Sequence, residues 1–146
     1  TWSQPMLASY LADLEEAERA GRNLLAEKYA RMDNLIPALS NSPLIDIIVT
    51  IEGNWQKELE GSYPALYLRC CRSMDETGDG RNFGIYLSCE LETYGDHTLQ
   101  LYFENIEAAV AANRNLAVEA LHRLVCKNGY RDLDHAESVL KYGETA

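Results

Sequence analysis

The chain has 146 residues, with 13 basic and 23 acidic side chains, a net charge of −10, and 47% hydrophobic against 25% charged residues. That is one domain's worth of chain, long enough to bury roughly 68–70% of its unfolded surface without metal or disulfide staples. The negative field opposes phosphate backbones, the basic stretches 69–72 and 127–131 are too sparse to overcome it, and no apolar run reaches the ~18 residues of a membrane span, so neither nucleic acid nor membrane is an expected partner.

Residues 5–20 carry Leu7, Tyr10, Leu11, Leu14 and Ala17 at helical spacing, which predicts an amphipathic helix. Gly21 supplies a left-handed break, and Asn23 caps a second helix from Leu24 to about Ile36. Ser42 and Pro43 open a third helix to Glu60, with Gly61 beyond its end. Its apolar residues Leu44, Ile45, Ile47, Ile48, Ile51, Trp55 and Leu59 cover more than one face, as a central core helix requires. Residues 62–81 show no sustained period and read as a long loop with a short extended piece at 66–70. Residues 82–94 resume a helical pattern that Gly95 stops; Asp96 then caps a helix to Ala112 with the stripe Leu99, Tyr102, Phe103, Ile106 and Ala109. Asn113 takes the place of Gly21, Asn115 caps 116–127, Asp132 opens a last helix to Tyr142, and the tail 144–146 frays. The expected fold class is all-α: a compact bundle of about six or seven helices in a single domain over residues 1–146.

Two of these helix pairs echo each other. Residues 10–32 laid over 102–124 match at Tyr10/Tyr102, Glu15/Glu107, Ala17/Ala109, Ala20/Ala112, Arg22/Arg114, Asn23/Asn115, Leu24/Leu116, Glu27/Glu119 and Arg31/Arg123. Chance would supply about two such matches. The reading is a duplicated αα-hairpin, copy one over about 5–36 and copy two over about 96–128. The copies are expected to be related by a pseudo-two-fold, with the third helix between them and with Leu7, Tyr10, Leu11 and Leu14 buried like Leu99, Tyr102, Phe103 and Ile106.

The shared Arg-Asn-Leu-x-x-Glu is the sharpest chemical feature. Arg22, Asn23, Glu27, Tyr29, Arg114 and Asn115 could form a polar pocket whose two guanidinium forks hold a carboxylate or phosphate. The plainer reading makes Asn23 and Asn115 helix caps, pairs Glu27 with Arg31 and Glu119 with Arg123, and turns the guanidiniums onto helix-end carbonyls. Tyr86, Glu90 and Tyr94 lie four apart on one face; they either line the same pocket, with Glu90 tuned as an acid or base, or flank the core. Glu119-Ala-Leu-His122 is half of a di-metal bundle motif without its counterpart, since Ala30 stands where the second histidine would be. Asp75, Thr77, Asp79 and Gly80 open like a calcium loop, but Tyr86 occupies the place of the closing glutamate. Gly78, Gly80 and Gly84 lack the dinucleotide spacing. No metal site is expected, and no covalent mechanism or cofactor can be named. Cys70, Cys71, Cys89 and Cys126 form no dense framework, which favours reduced thiols and a cytoplasmic setting. The chain starts at Thr1 with no leader-like segment, as a trimmed piece would.

The runs GRNLLAEKYARM (21–32) and ELETYGDHTL (90–99), with SYP and NGYRDLDHAE, resemble the bacterial family catalogued as domain of unknown function 4125, over nearly the whole chain. Departures fall at Asp33, where the family resembled usually has a second Met, and at Cys89, where it has a Gly, so Cys89 is a poor candidate for shared thiol chemistry. The resemblance implies further residues upstream in its members and an accessory role, but no activity. Two functions remain open: a binding or accessory module for a small anionic ligand or a protein partner, or an enzyme with Glu27 or Glu90 as general acid/base and Arg22 and Arg114 holding substrate.

Overall fold

The structure, a computed structural model, describes residues 2–71 and 82–143. Among these there are eight helices and no strand: α1 (Gln4–Arg19), α2 (Leu24–Met32), α3 (Pro43–Ser62), α4 (Pro64–Cys70), α5 (Phe83–Leu91), α6 (Asp96–Ala111), α7 (Leu116–Lys127) and α8 (Leu133–Tyr142). The all-α expectation holds. The calcium-like and glycine-spaced stretch before Asn82 lies almost wholly outside the described residues, as does the tail 144–146.

α3 is the spine. Pro43 stands at its first position and Ser42 caps the amide of Leu44, so initiation follows from the Ser-Pro pair. At ~1.5 Å per residue its twenty residues run ~30 Å. Its buried stripe serves two apolar clusters in turn. Ile45, Ile48 and Trp55 join Met6, Leu87, Leu91, Leu99 and Ile106, while Leu59 joins Leu66, Tyr67, Leu121, Val125 and Leu133. Each fully buried Leu or Ile stabilises the fold by about 1.5–3 kcal/mol relative to exposure. α5, α6 and α7 pack on α3, α1 lies along α6, α2 along α5, and α8 along α4 and α7.

Three sequence expectations are corrected here. The extended piece at 66–70 is helical: Pro64 starts α4, and the carboxylate of Glu137 on α8 accepts from the amides of Ala65 and Leu66 at 2.9 and 2.7 Å. A helix of seven residues, about two turns, with no local cap carries little periodic signal, and its stabiliser lies 72 residues away in sequence. Asp96 is not the cap of α6. Gly95 occupies that position, with no side chain to offer, and Asp13 of α1 accepts from the Gly95 amide at 2.9 Å and from the Thr98 hydroxyl at 2.6 Å. Finally, α1 is rotated from its expected phase. It buries Met6 and Ala17 and turns Tyr10 and Asp13 inward, leaving Leu7, Leu11 and Leu14 at 47%, 56% and 40% exposure. The aromatic contacts of Tyr10 and the cap made by Asp13 select this rotation over one that would bury Leu7, Leu11 and Leu14.

Replacing Asp13 by Ala is expected to lower stability by about 0.5–2 kcal/mol in urea unfolding, the range of a lost N-cap, whereas Asp96→Ala costs only about 0.3–1 kcal/mol through the helix dipole. The reverse ranking would remove Asp13 as the cap of α6.

Candidate functional site

On α2, Leu24, Lys28 and Met32 are spaced four apart and all are buried, so helix geometry drives the Lys28 side chain inward to 5% exposure. α5 meets it with Tyr86 and Glu90, again four apart. Lys28 Nζ donates to Tyr86 Oη at 3.1 Å, lies 3.8 Å from Glu90 Oε1, and sits 4.5 and 4.9 Å from the ring centres of Tyr86 and Tyr29. Burial works to lower the Lys28 pKa, but the Tyr86 hydroxyl and the Glu90 carboxylate outweigh it and hold the ammonium above an ordinary lysine. Lys28 is a fixed cation rather than a free amine. A Schiff-base role, which needs a depressed lysine, does not fit it.

Behind Lys28 stands an aromatic cluster. Trp2 packs edge-on against Tyr10, Tyr94 and Tyr102 at ring-centre distances of 5.3, 5.7 and 5.8 Å, and Tyr10 and Tyr94 meet at 4.8 Å. The rings fill the space between α1, α5 and α6, each such pair adding about 0.5–1.5 kcal/mol. Glu52 enters from α3, where it falls on the buried stripe between Ile48 and Trp55, and accepts from Tyr102 Oη at 2.7 Å. Burial raises the Glu52 carboxyl to about 7; the Tyr102 hydrogen bond opposes this and the charge of Glu90 adds to it. Burial and neighbouring carboxylates likewise push Tyr10 and Tyr94 upward, so both remain phenols. Among the described residues neither of those two hydroxyls has a hydrogen-bond partner, and no buried polar atom is left unsatisfied, so both oxygens face space that water reaches. A cavity of about 340 Å³ opens beside the cluster, lined by Tyr10, Lys28 and Glu90 together with Leu14, Leu25, Glu18, Arg22, Asn23 and Thr93.

Of the residues singled out from sequence, Arg22, Asn23 and Glu90 thus share one cavity, while Tyr86 and Tyr94 are outside its lining and touch the lining residues Lys28 and Tyr10. Tyr29 lends its ring to Lys28 but is 42% exposed. Arg114 and Asn115 are elsewhere, at the start of α7 against α3, where Asn115 donates to the Trp55 carbonyl and to Glu58. Both asparagines cap their helices as expected: Asn23 accepts from the amide of Ala26, Asn115 from those of Ala117 and Val118. The ion pairs differ from the expected register. Arg22 grips both oxygens of Glu27 at 2.8 and 2.9 Å, and Arg114 both oxygens of Glu119 at 2.9 and 2.6 Å. Arg31 crosses to Glu92 of the α5 end at 2.9 Å instead of pairing with Glu27. A residue just before a helix start can fold its fork back over the first turn, which a rule for pairs within a helix does not consider. Sequence reasoning missed Lys28, Glu52 and Tyr10 as site residues. The signal was available: an ionisable residue inside a buried stripe, with Ala120 in the position of the second hairpin that corresponds to Lys28.

His122 is exposed on α7 with Cys126 Sγ at 3.6 Å, Glu119 is engaged by Arg114, and no group of three or more metal-ligating side chains occurs among the described residues. The four cysteines are unbridged, and no described helix is long and apolar enough to cross a membrane.

The family description "Protein of unknown function (DUF4125)" matches residues 1–138. The chain belongs to the DUF4125 family. No curated protein and no solved structure matches it significantly. Family membership therefore carries no assigned chemistry to the cavity, and the side chains themselves must be read for it.

Because the folded state holds the Glu52 proton more tightly than the unfolded chain, this group's contribution is fully present below pH 4.5 and is lost as pH rises through about 7. Glu52→Gln is expected to remove that fall, so that the variant gains on wild type by on the order of 1–3 kcal/mol between pH 5 and 8 in chemical denaturation. Parallel stability profiles for the two proteins would exclude a raised Glu52.

Proposed function

We propose that the chain is a single-domain binding module, working in the cytoplasm, whose site is the cavity between α1, α2 and α5. One observation carries this reading: Lys28, almost fully buried, is fixed at the cavity wall by Tyr86 and Glu90 instead of reaching solvent. A buried cation costs stability unless it is paired, and replacement by an apolar residue would remove that cost, so its presence at a cavity suits a recognition role. The apolar lining of Leu14 and Leu25 and the polar tips of Tyr10, Thr93 and Glu90 fit a small organic molecule. A thermal-shift screen of polar metabolites against the whole protein tests it; ligand at 100 times Kd is expected to add about 2.7 kcal/mol. Lys28→Met, which changes the charge of the cavity wall, should alter the size of that gain. A screen in which no compound moves the wild-type midpoint ends this reading.

A second reading, an enzyme, is favoured by Glu52 titrating near neutrality beside Glu90, the arrangement in which one carboxyl donates and another accepts a proton. Glu27 is the weaker candidate because Arg22 holds both its oxygens. Turnover of a bound compound, lost in Glu52→Gln but with binding kept, would select it.

We infer also that the two hairpins are copies related by a pseudo-two-fold. The same turn supports this. Gly21 and Asn113 have φ of 72° and 57°, the amides of Arg22 and Arg114 donate to Ala17 and Ala109, and each arginine clasps the glutamate five residues on. Gly21→Asn and Asn113→Gly should each change stability by less than about 1 kcal/mol, whereas a valine at either position should cost about 1–2 kcal/mol. Unequal responses at the two turns would count against common origin.

A further inference from the structure

The sign of the ligand can be read from which groups at the site are already matched. Both cations are. Lys28 has Tyr86, Glu90 and two ring faces, and Arg22 has both oxygens of Glu27. The acceptors are not. Glu90 has only the 3.8 Å contact with Lys28, Glu52 has a phenol and no cation, and Glu18 at the cavity mouth has no partner among the described residues. Tyr94, 7% exposed, has an unpartnered hydroxyl, and Glu90, Tyr10, Glu52 and Tyr86 are the groups whose fields act on it. The inner cluster therefore holds two carboxyls against one ammonium. It is short of one positive charge.

We propose that the site binds an organic amine in its ammonium form, the nitrogen at Glu90 on the cavity wall, with Tyr94 and Glu52 standing behind that wall, and the apolar body lying along Leu14 and Leu25. This rests on the cavity being a ligand site and names the class that fills it. Three features favour an ammonium over other cations. Tyr10 lines the cavity and its ring meets that of Tyr94 at 4.8 Å, so an aromatic surface of the kind that attracts organic cations adjoins the position. No described set of three carboxylate, imidazole or thiol ligands exists for a divalent metal. The aliphatic lining gives an alkyl chain a place that a bare alkali ion cannot use. In the empty protein, the proton that burial keeps on Glu52 stands in for the missing charge, and an arriving ammonium displaces it. The other titratable groups facing this position are Asp13 through Tyr10, Tyr102 through Glu52, and Lys28 itself. At the pH values used below the tyrosines remain phenols and Lys28 stays charged, so Glu52 is the one among these that titrates near neutrality.

The test is calorimetric titration of the whole protein at pH 8.0 and 5.5 with butylamine, 1,4-diaminobutane, butyrate, inorganic phosphate and potassium chloride. An amine is expected to bind with affinity at least about tenfold higher at pH 8.0 than at pH 5.5, where Glu52 still holds its proton, and heats at pH 5.5 in two buffers of different ionisation enthalpy should report release of that proton. Glu90→Gln should weaken amine binding about tenfold or more, and Glu52→Gln should abolish both the pH dependence and the proton release. Circular dichroism checks that each variant is folded, and Tyr94→Phe, which changes no charge, should weaken amine binding several-fold as an independent probe. Binding of butyrate or phosphate in place of the amines would leave the cavity a ligand site and overturn its preference for amines. Equal binding of potassium would overturn it as well. Silence from every probe, at both pH values and in the metabolite screen, would remove both the cavity reading and this one.

Discussion

A carboxylate inside the buried stripe of the central helix governs the rest. α3 threads both apolar clusters, and rotating it by a single residue would lift Ile48 and Leu59 into water together, so its orientation is not adjustable. With that orientation fixed, Glu52 falls half-buried on the same face as Ile48 and Trp55 and must be accommodated where it lands. The surroundings then follow. Tyr102 supplies a hydroxyl, the aromatic cluster closes over the pair, and the adjacent face of α5 brings Glu90 against the equally constrained Lys28 of α2. The polar interior is thus a consequence of two helices whose apolar stripes each contain one ionisable residue.

The acidic surplus of the chain has a structural use as well. Carboxylates from distant segments satisfy the exposed amides at the starts of α4 and α6, through Glu137 and Asp13, and Glu92 ties the end of α5 to Arg31 of α2. Helix starts lacking a side-chain cap of their own are sited under an acidic residue of a neighbour, where the positive end of the helix dipole makes the contact favourable. Glu137, Asp13 and Glu92 thus serve the architecture of the fold.

The helices written with local punctuation were legible in the sequence: Ser42-Pro43, Asn23, Asn115 and Asp132 each announce a start that the structure has, and Gly21 and Gly143 mark breaks. What escaped is what depends on contacts far along the chain. α4 and the true cap of α6 need Glu137 and Asp13, which no window around them contains. Tyr10 and Ala17 face inward as their spacing suggested, but the phase of α1 was misread because Leu7, Leu11 and Leu14 outvoted Met6 and Asp13 in the periodicity. For the site, the repeated motif drew notice to Arg22 and Arg114, and repetition reflects the turn each one closes. The unrepeated residue at the same turn of helix, Lys28 against Ala120, was the better pointer.

The long-range caps have a bearing on how the chain acquires its shape. During synthesis from the N-terminus, Asp13 exists well before the helix it caps, so α6 can be secured as soon as it emerges. α4 is in the opposite position, because its start stays open until the final helix is made and docks Glu137 against it. A short helix without its cap is marginal in water. The second apolar cluster, which needs α4 and α8 together, therefore consolidates last, and a ribosome-bound chain passes through a stage in which the α1–α6 half is closed while the other half is still assembling.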